Sequence, residues 1–318
     1  MGVKNMRRTQ RWSTAVILIA LVVLTTAGQS RREAKEELDK GLHRMAKGNF
    51  DGAIESFTRA IELGSHQETR RLSAESGKLN LTMTDNVSTS EGIVLIDPLT
   101  SVAYSNRAAA RVRKGDLDGA LADCDRAIAI NPGLADAYQN RGWIRWAMGD
   151  LDDAISDFDR VISISPRHAK GYDLRGSVRM DQGDLLKALK DLDQAVSLDP
   201  RVPKTYCDRG QARHLFKDIR GAQEDFDMAA KLNPQLACAP YGQGLVQFDR
   251  EEWSQAIVYF TLAIERDHEL GLAYALRGLA LRRLGRNTEA EKDIVESLRL
   301  DSRLKTPARL PLGKTPPE

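Results

Sequence analysis

Cysteine is scarce: the 318 residues hold three, Cys124, Cys207 and Cys238. None stands at Cys-x-x-Cys spacing, which excludes a thiolate zinc site, a dithiol redox centre and a disulfide framework. Aromatic residues make up only 6% of the chain. Ala, Leu, Asp and Arg abound instead, a mixture that leans to helix. An excess of one charge is also missing, with 47 Lys and Arg against 45 Asp and Glu, a formal +2. A polybasic nucleic-acid binder would carry a clear positive surplus, so nucleic acid is not an expected partner. No HExxH, Walker loop, GxGxxG or GxSxG is present. His43, His66, His168, His214 and His268 never fall at metal-ligand spacing. No catalytic residue, metal or cofactor is therefore expected. The 42% of apolar residues still suffices to bury a core.

The charge is unevenly placed. Residues 1–33 carry six basic side chains and one acidic, and residues 305–318 carry three and one, leaving 38 against 43 between them. Lys4, Arg7, Arg8 and Arg11 precede an uncharged run, Trp12–Ser30, centred on Ala15–Leu24. A positive flank before a short apolar core fits a secretory signal, with Thr25-Thr26-Ala27 as a weak cleavage site. An uncleaved anchor fits as well, although Trp12–Ala27 is slightly short for a bilayer of ~30 Å. Both readings of residues 1–30 put the rest of the chain outside the cytoplasmic membrane: periplasmic, secreted or luminal, with 12–30 as the anchor if retained. A buried soluble helix fits poorly, because the run has no polar face.

A 34-residue period fills most of the remaining chain. Tyr104, Tyr138, Tyr172, Tyr206 and Tyr274 keep it, as do Ala120, Ala154, Ala188, Ala222, Ala256 and Ala290. Pro132, Pro166, Pro200 and Pro234 do so too. Six contiguous units start at Ser101, Ala135, Ala169, Pro203, Ala237 and Gly271, covering 101–304, and an earlier unit occupies 34–67. Gly115-Asp116, Gly149-Asp150 and Gly183-Asp184 would break each unit into two short helices, and Pro would stop the second. The last helix, roughly Thr288–Leu300, has the charge density of a terminal cap. Residues 305–318 hold Pro307, Pro311, Pro316 and Pro317, too many for another helix.

Tyr138, Gly142, Gly149-Asp150, Ala154, Phe158 and Pro166 carry the pattern best, and through them the chain resembles the tetratricopeptide repeat (TPR) family. The resemblance implies an all-α TPR α-solenoid of about seven repeats, a right-handed superhelix with a concave inner surface. It also implies a non-enzymatic scaffold that binds a protein or peptide partner in that groove.

Most family repeats are apolar at position seven, where this chain has Arg107, Arg141, Arg175, Arg209 and Arg277. Each is followed sixteen residues later by an acid: Asp123, Asp157, Asp191, Asp225 and Asp293. Both members are lost together in the sixth unit, which has Gln243 and Tyr259. Joint retention and loss point to a structural ion-pair ladder, bidentate at Arg. The other reading is a basic stripe for an acidic ligand. A second column, Arg111, Arg145, Arg179 and Arg213, could reach the same carboxylates from the next unit.

Family ligands lie against the first helix of each unit. The matching positions here include Arg113, Gln139, Trp143, Trp146, Asp173, Met180, Asp181, His214, Leu215, Tyr241, Leu245, Phe248, Arg282 and Arg283. Trp143 and Trp146 share one helix face and are either anchors for a partner or packing between adjacent helices. A family clamp for a C-terminal carboxylate would use Asn106 and Asn140, but Leu174 interrupts it and Lys170 and Lys204 do not restore it.

An insertion at 68–100 separates the first two units. Its apolar run, Ile93-Val94-Leu95-Ile96, could cover the first unit or pair with a partner strand, and Asn80 and Asn86 head glycosylation-like triplets. Cys207 and Cys238 fall on neighbouring first helices, but helix axes roughly 8–10 Å apart argue against an unstrained bridge between them. Cys124 occupies a core Phe position and reads as a small hydrophobe. Two further functions stay open: a membrane-tethered assembly factor acting through self-association, and an enzyme without a familiar motif. The oligomeric state is undetermined by the sequence.

Overall fold

The computed structural model describes residues 29–65, 86–89, 92–95 and 98–300. The apolar N-terminal run, most of the insertion and the proline-rich tail lie outside the described residues. Among the described residues, no helix is long and apolar enough to cross a membrane.

Fourteen helices account for nearly all of the described chain. Helix α1 covers residues 29–46 and pairs with α2, Phe50–Ser65. Two short strands come next, β1 (Asn86–Thr89) and β2 (Gly92–Leu95). They pair antiparallel with Val87 opposite Val94. The run from Ile93 to Leu95 therefore pairs with a strand of its own chain. Helix α3 runs Pro98–Arg113, opening three residues before the repeat boundary because proline suits a first helical position. The remaining helices alternate through the repeats: α4 Leu117–Ile130, α5 Ala135–Met148, α6 Leu151–Ile164, α7 Ala169–Gln182 and α8 Leu185–Leu198. They continue with α9 Pro203–Leu215, α10 Ile219–Leu232, α11 Cys238–Asp249, α12 Trp253–Arg266, α13 Gly271–Arg283 and α14 Asn287–Leu300.

The chain forms two compact units, Met1–Ile144 and Arg145–Glu318, the division falling inside α5. In the first, α3 packs on α2 and α4. Its core gathers Leu38, Phe57, Ile61, Ala103 and Ala110, and Cys124 is fully buried. In the second, successive helices from α6 to α14 pack on one another, and the first helices α7, α9 and α11 also touch in sequence. Phe158, Leu192, Phe226 and Phe260 recur at one place in each hairpin and are buried. Alanines at 154, 188, 222 and 256 are buried with them, so that no second helix could shed its apolar face to water without loss.

The turn chemistry explains where the helices stop. Gly183 closes α7 with φ +82°, a left-handed conformation that glycine adopts without penalty. Asp184 then starts α8 by accepting the Lys187 N–H on its side chain. In two later units the glycine is replaced, yet Lys217 (φ 68°) and Glu251 (φ 59°) keep the same left-handed backbone. Each carries a steric cost of roughly 1 kcal/mol that glycine would spare.

Candidate functional site

The arginine column at position seven is engaged throughout the described repeats. Arg175 donates Nε to Asp191 Oδ2 at 2.9 Å and Nη2 to Oδ1 at 2.6 Å. Arg107 holds Asp123, Arg209 holds Asp225 and Arg277 holds Asp293 in the same two-point manner. The second column turns back within its own unit rather than reaching from the next one. Arg111 meets Asp123, Arg145 meets Asp157, Arg179 meets Asp191 and Arg213 meets Asp225, at 2.6–2.9 Å. Position 11 lies one turn nearer the hairpin bend than position 7 on the same helix, so both reach the one carboxylate at position 23.

A third bond ties neighbouring repeats together. Arg141 donates to Asp125, Arg175 to Asp159 and Arg209 to Asp193, each acceptor belonging to the preceding repeat. Gln243 keeps this link, to Asp227 at 2.7 Å, where the arginine is lost. Tyr172 lies under the Arg175 guanidinium at 5.6 Å, and Tyr104, Tyr138, Tyr206 and Tyr274 underlie their own arginines at 5.2–5.5 Å. The tyrosine period thus marks a cation–π partner three residues before each Arg. Burial alone would lower the Arg175 guanidinium, but its bonds to Asp191 and Asp159 more than reverse this and hold it above its usual range. For Arg277 the bond to Asp293 is the leading influence, again upward.

The first-helix positions are less exposed than partner anchors would be. Trp143 and Trp146 are only 7% and 9% exposed, so both pack inside rather than display their rings. The Trp146 indole donates to Asp181 Oδ2 at 2.6 Å. Met180, Tyr241 and Asp173 are buried, and Gln139, His214, Leu245 and Phe248 are half-buried. Burial pushes the Tyr241 phenol up. Leu215, Arg113, Asp181, Arg282 and Arg283 are exposed. Arg113 stacks over Phe50 and Arg283 over Trp253. Phe248 contacts Trp253 edge-on at 5.0 Å. His214 Nε2 stands 3.0 Å from Asp249 Oδ2, near enough for an ion pair but off the line of a hydrogen bond.

Between α7 and α9 lies a cluster that the sequence did not reveal. Asp173 and Asp208 are 3% and 6% exposed. Lys170 Nζ is 3.3 Å from Asp173 Oδ2, and Lys204 binds Asp208. Burial raises the Asp208 carboxyl, with Asp173 adding to the effect and Lys204 opposing it.

On the next face, Cys207 and Cys238 form a disulfide. This overturns the expectation drawn from helix-axis spacing. Helices α9 and α11 touch, and the two Cα atoms on their facing sides are 6.1 Å apart, within the span a disulfide needs. Alkylation of denatured, unreduced protein should label Cys124 alone among the three cysteines. Mass spectrometry should recover one peptide joining 207 to 238, and a chain taking three labels would contradict the bridge. The bond closes 31 residues of sequence, so its loss should lower stability by roughly 3–4 kcal/mol.

These hairpins, with their Gly-Asp turns and stacked first helices, make the fold an all-α tetratricopeptide-repeat solenoid. The tetratricopeptide repeat profile matches residues 135–168, 169–202 and 272–303, so the chain contains repeats of this kind. The sequence matches no curated protein. Among solved structures, a tetratricopeptide repeat protein from Parabacteroides merdae superposes with TM-score 0.62 at 15% identity, over 85% of this chain and 94% of that one. The Cut9 and Hcn1 assembly of the APC/C gives 0.59 at 15% identity, over 80% and 43%. The pilF structure from Pseudomonas aeruginosa gives 0.55 at 17% identity, over 64% and 92%. At these identities the likeness is one of fold.

Proposed function

We propose that the protein is a non-enzymatic scaffold, exported or membrane-anchored, that holds a protein or peptide partner against the first helices of its repeats. One observation carries this reading. Among the described residues, seven buried side-chain polar atoms have no hydrogen-bond partner, and two of them, Asp173 Oδ1 and His214 Nε2, stand at expected binding positions of the unit Arg145–Glu318. Buried polar groups are almost always satisfied, and exceptions call for a reason. A bound partner would supply the missing donors and acceptors. Location outside the cytoplasm is supported by the Cys207–Cys238 bridge, since such bonds persist in oxidising compartments.

The test places a photo-crosslinking amino acid in turn at Leu215, at Phe248 and at Val258, which is 59% exposed on the second helix α12. Leu215 and Phe248 should trap a partner and Val258 should not. Equal trapping at all three, or none at the first-helix positions, would overturn the reading. Fractionation with N-terminal mass spectrometry on the same cells should give either a chain cleaved near Gly28 or an intact Met1 in the membrane. An intact chain in the cytosol would refute the location.

A further inference from the structure

We infer that Asp173, with Lys170, Lys204 and Asp208 around it, receives a guanidinium side chain from the protein partner. The inference rests on the partner-binding reading and specifies what one point of the binding face recognises.

The argument begins with a comparison inside the molecule. Asp191 and Asp225 are 3% and 2% exposed, and each accepts three charge-assisted N–H bonds from two arginines. Asp173 is equally buried at 3%, yet its one such bond is from Lys170, at 3.3 Å. Its Oδ1 accepts no hydrogen bond at all. Asp123 and Asp293 are likewise held by a guanidinium fork, and at Asp173 the fork is missing. A buried polar oxygen is normally hydrogen-bonded, so Oδ1 of Asp173 is an exception that calls for a partner.

The neighbours favour a cation over a neutral donor. Asp208 lies close enough to raise its own proton affinity through Asp173, so the two carboxylates repel each other. Lys170, whose side chain is 42% exposed, is screened by water, whereas the ammonium end of Lys204 is buried beside Asp208. Lys204 is committed to Asp208. Lys170, on its long bond, is the group that can swing aside, because an exposed lysine changes rotamer in picoseconds to nanoseconds. Arginine suits the opening better than lysine, since its planar fork spans both oxygens of one carboxylate.

The test uses the full chain with methyl-labelled side chains and three small probes: N-acetyl-arginine methylamide, the uncharged citrulline analogue and the apolar norleucine analogue. The arginine probe should shift resonances of α7 and α9, and the citrulline probe should bind at least about tenfold more weakly. Norleucine should have no effect. Asp173→Asn should weaken the arginine probe by about tenfold or more while the helical circular dichroism stays unchanged. Lys170→Met should tighten it severalfold, because the ammonium no longer competes for Oδ2. Equal binding of arginine and citrulline, or weaker or unchanged arginine binding in Lys170→Met, overturns the inference. Trapping of a partner at Leu215 and Phe248 without any Asp173-dependent arginine shift overturns this inference alone and leaves the partner-binding reading standing.

Discussion

Asp191→Ala should destabilise the protein by roughly 3–5 kcal/mol, among the largest losses available to a polar residue. The carboxylate is 3% exposed and accepts from Arg175 and Arg179 together. Removing it leaves two guanidinium groups partly buried, with side chains 15% and 17% exposed, without the carboxylate they share. Replacing the whole triad by Arg175→Met, Arg179→Met and Asp191→Leu should cost much less, since no charge is then left stranded. Urea unfolding of the two variants beside the parent measures both. A single-residue loss below about 1 kcal/mol would mean that the ladder is only a surface feature. Hydrogen exchange should place the weakening in α7 and α8.

A second large effect is expected at Phe226, where Phe226→Ala should cost about 3–5 kcal/mol through the cavity it leaves. The ring is 2% exposed and serves two repeats at once. An added Cβ would fall 2.8 Å from Phe226 Cε1 at Gly210, and 2.2 Å from it at Gly242. Gly242→Ala alone should therefore cost roughly 1–3 kcal/mol by overpacking. In the Phe226→Ala background the same methyl enters vacated space and should cost almost nothing. The double-mutant cycle from thermal or urea unfolding reads that coupling directly. Simple additivity would show that the two positions do not meet.

The sequence made legible whatever repeats. The hairpins arise from turns and alanines that recur every 34 residues, each a local constraint on the backbone. The ladder was visible because Arg107 and Asp123, and their counterparts, keep a constant separation of sixteen. The bonds between repeats also leave a trace in the sequence, since Asp125, Asp159, Asp193 and Asp227 recur at 34. The tyrosine column three residues before each arginine marks the period in the sequence, and its chemistry in the structure is cation–π. Features outside the register stayed hidden. Lys170 and Lys204 are 34 apart, but Asp173 and Asp208 are 35 apart, and Cys207 and Cys238 are joined across 31. Such pairs depend on which sides of two helices face each other, which periodicity does not encode. The tryptophans failed for a related reason. Spacing of three places Trp143 and Trp146 on one face without saying whether that face meets water or protein.

The bonds between repeats bear on how such a chain can change length. Arg175 reaches Asp159 and Arg209 reaches Asp193, always from the seventh place of one repeat to the twenty-fifth of the one before. A gene duplication or deletion of 34 codons therefore rejoins an arginine with an equivalent aspartate, and the new junction is bonded from the moment it arises. Arg107 keeps the equivalent bond, to Thr58 at 2.9 Å, across the 68–100 insertion, so added length that lies between repeats leaves the junction intact. Gln243, bound to Asp227, shows that the junction also survives loss of the arginine itself. The lateral bond thus fixes how one repeat meets the next, tolerant both of the residue that makes it and of chain inserted between the two.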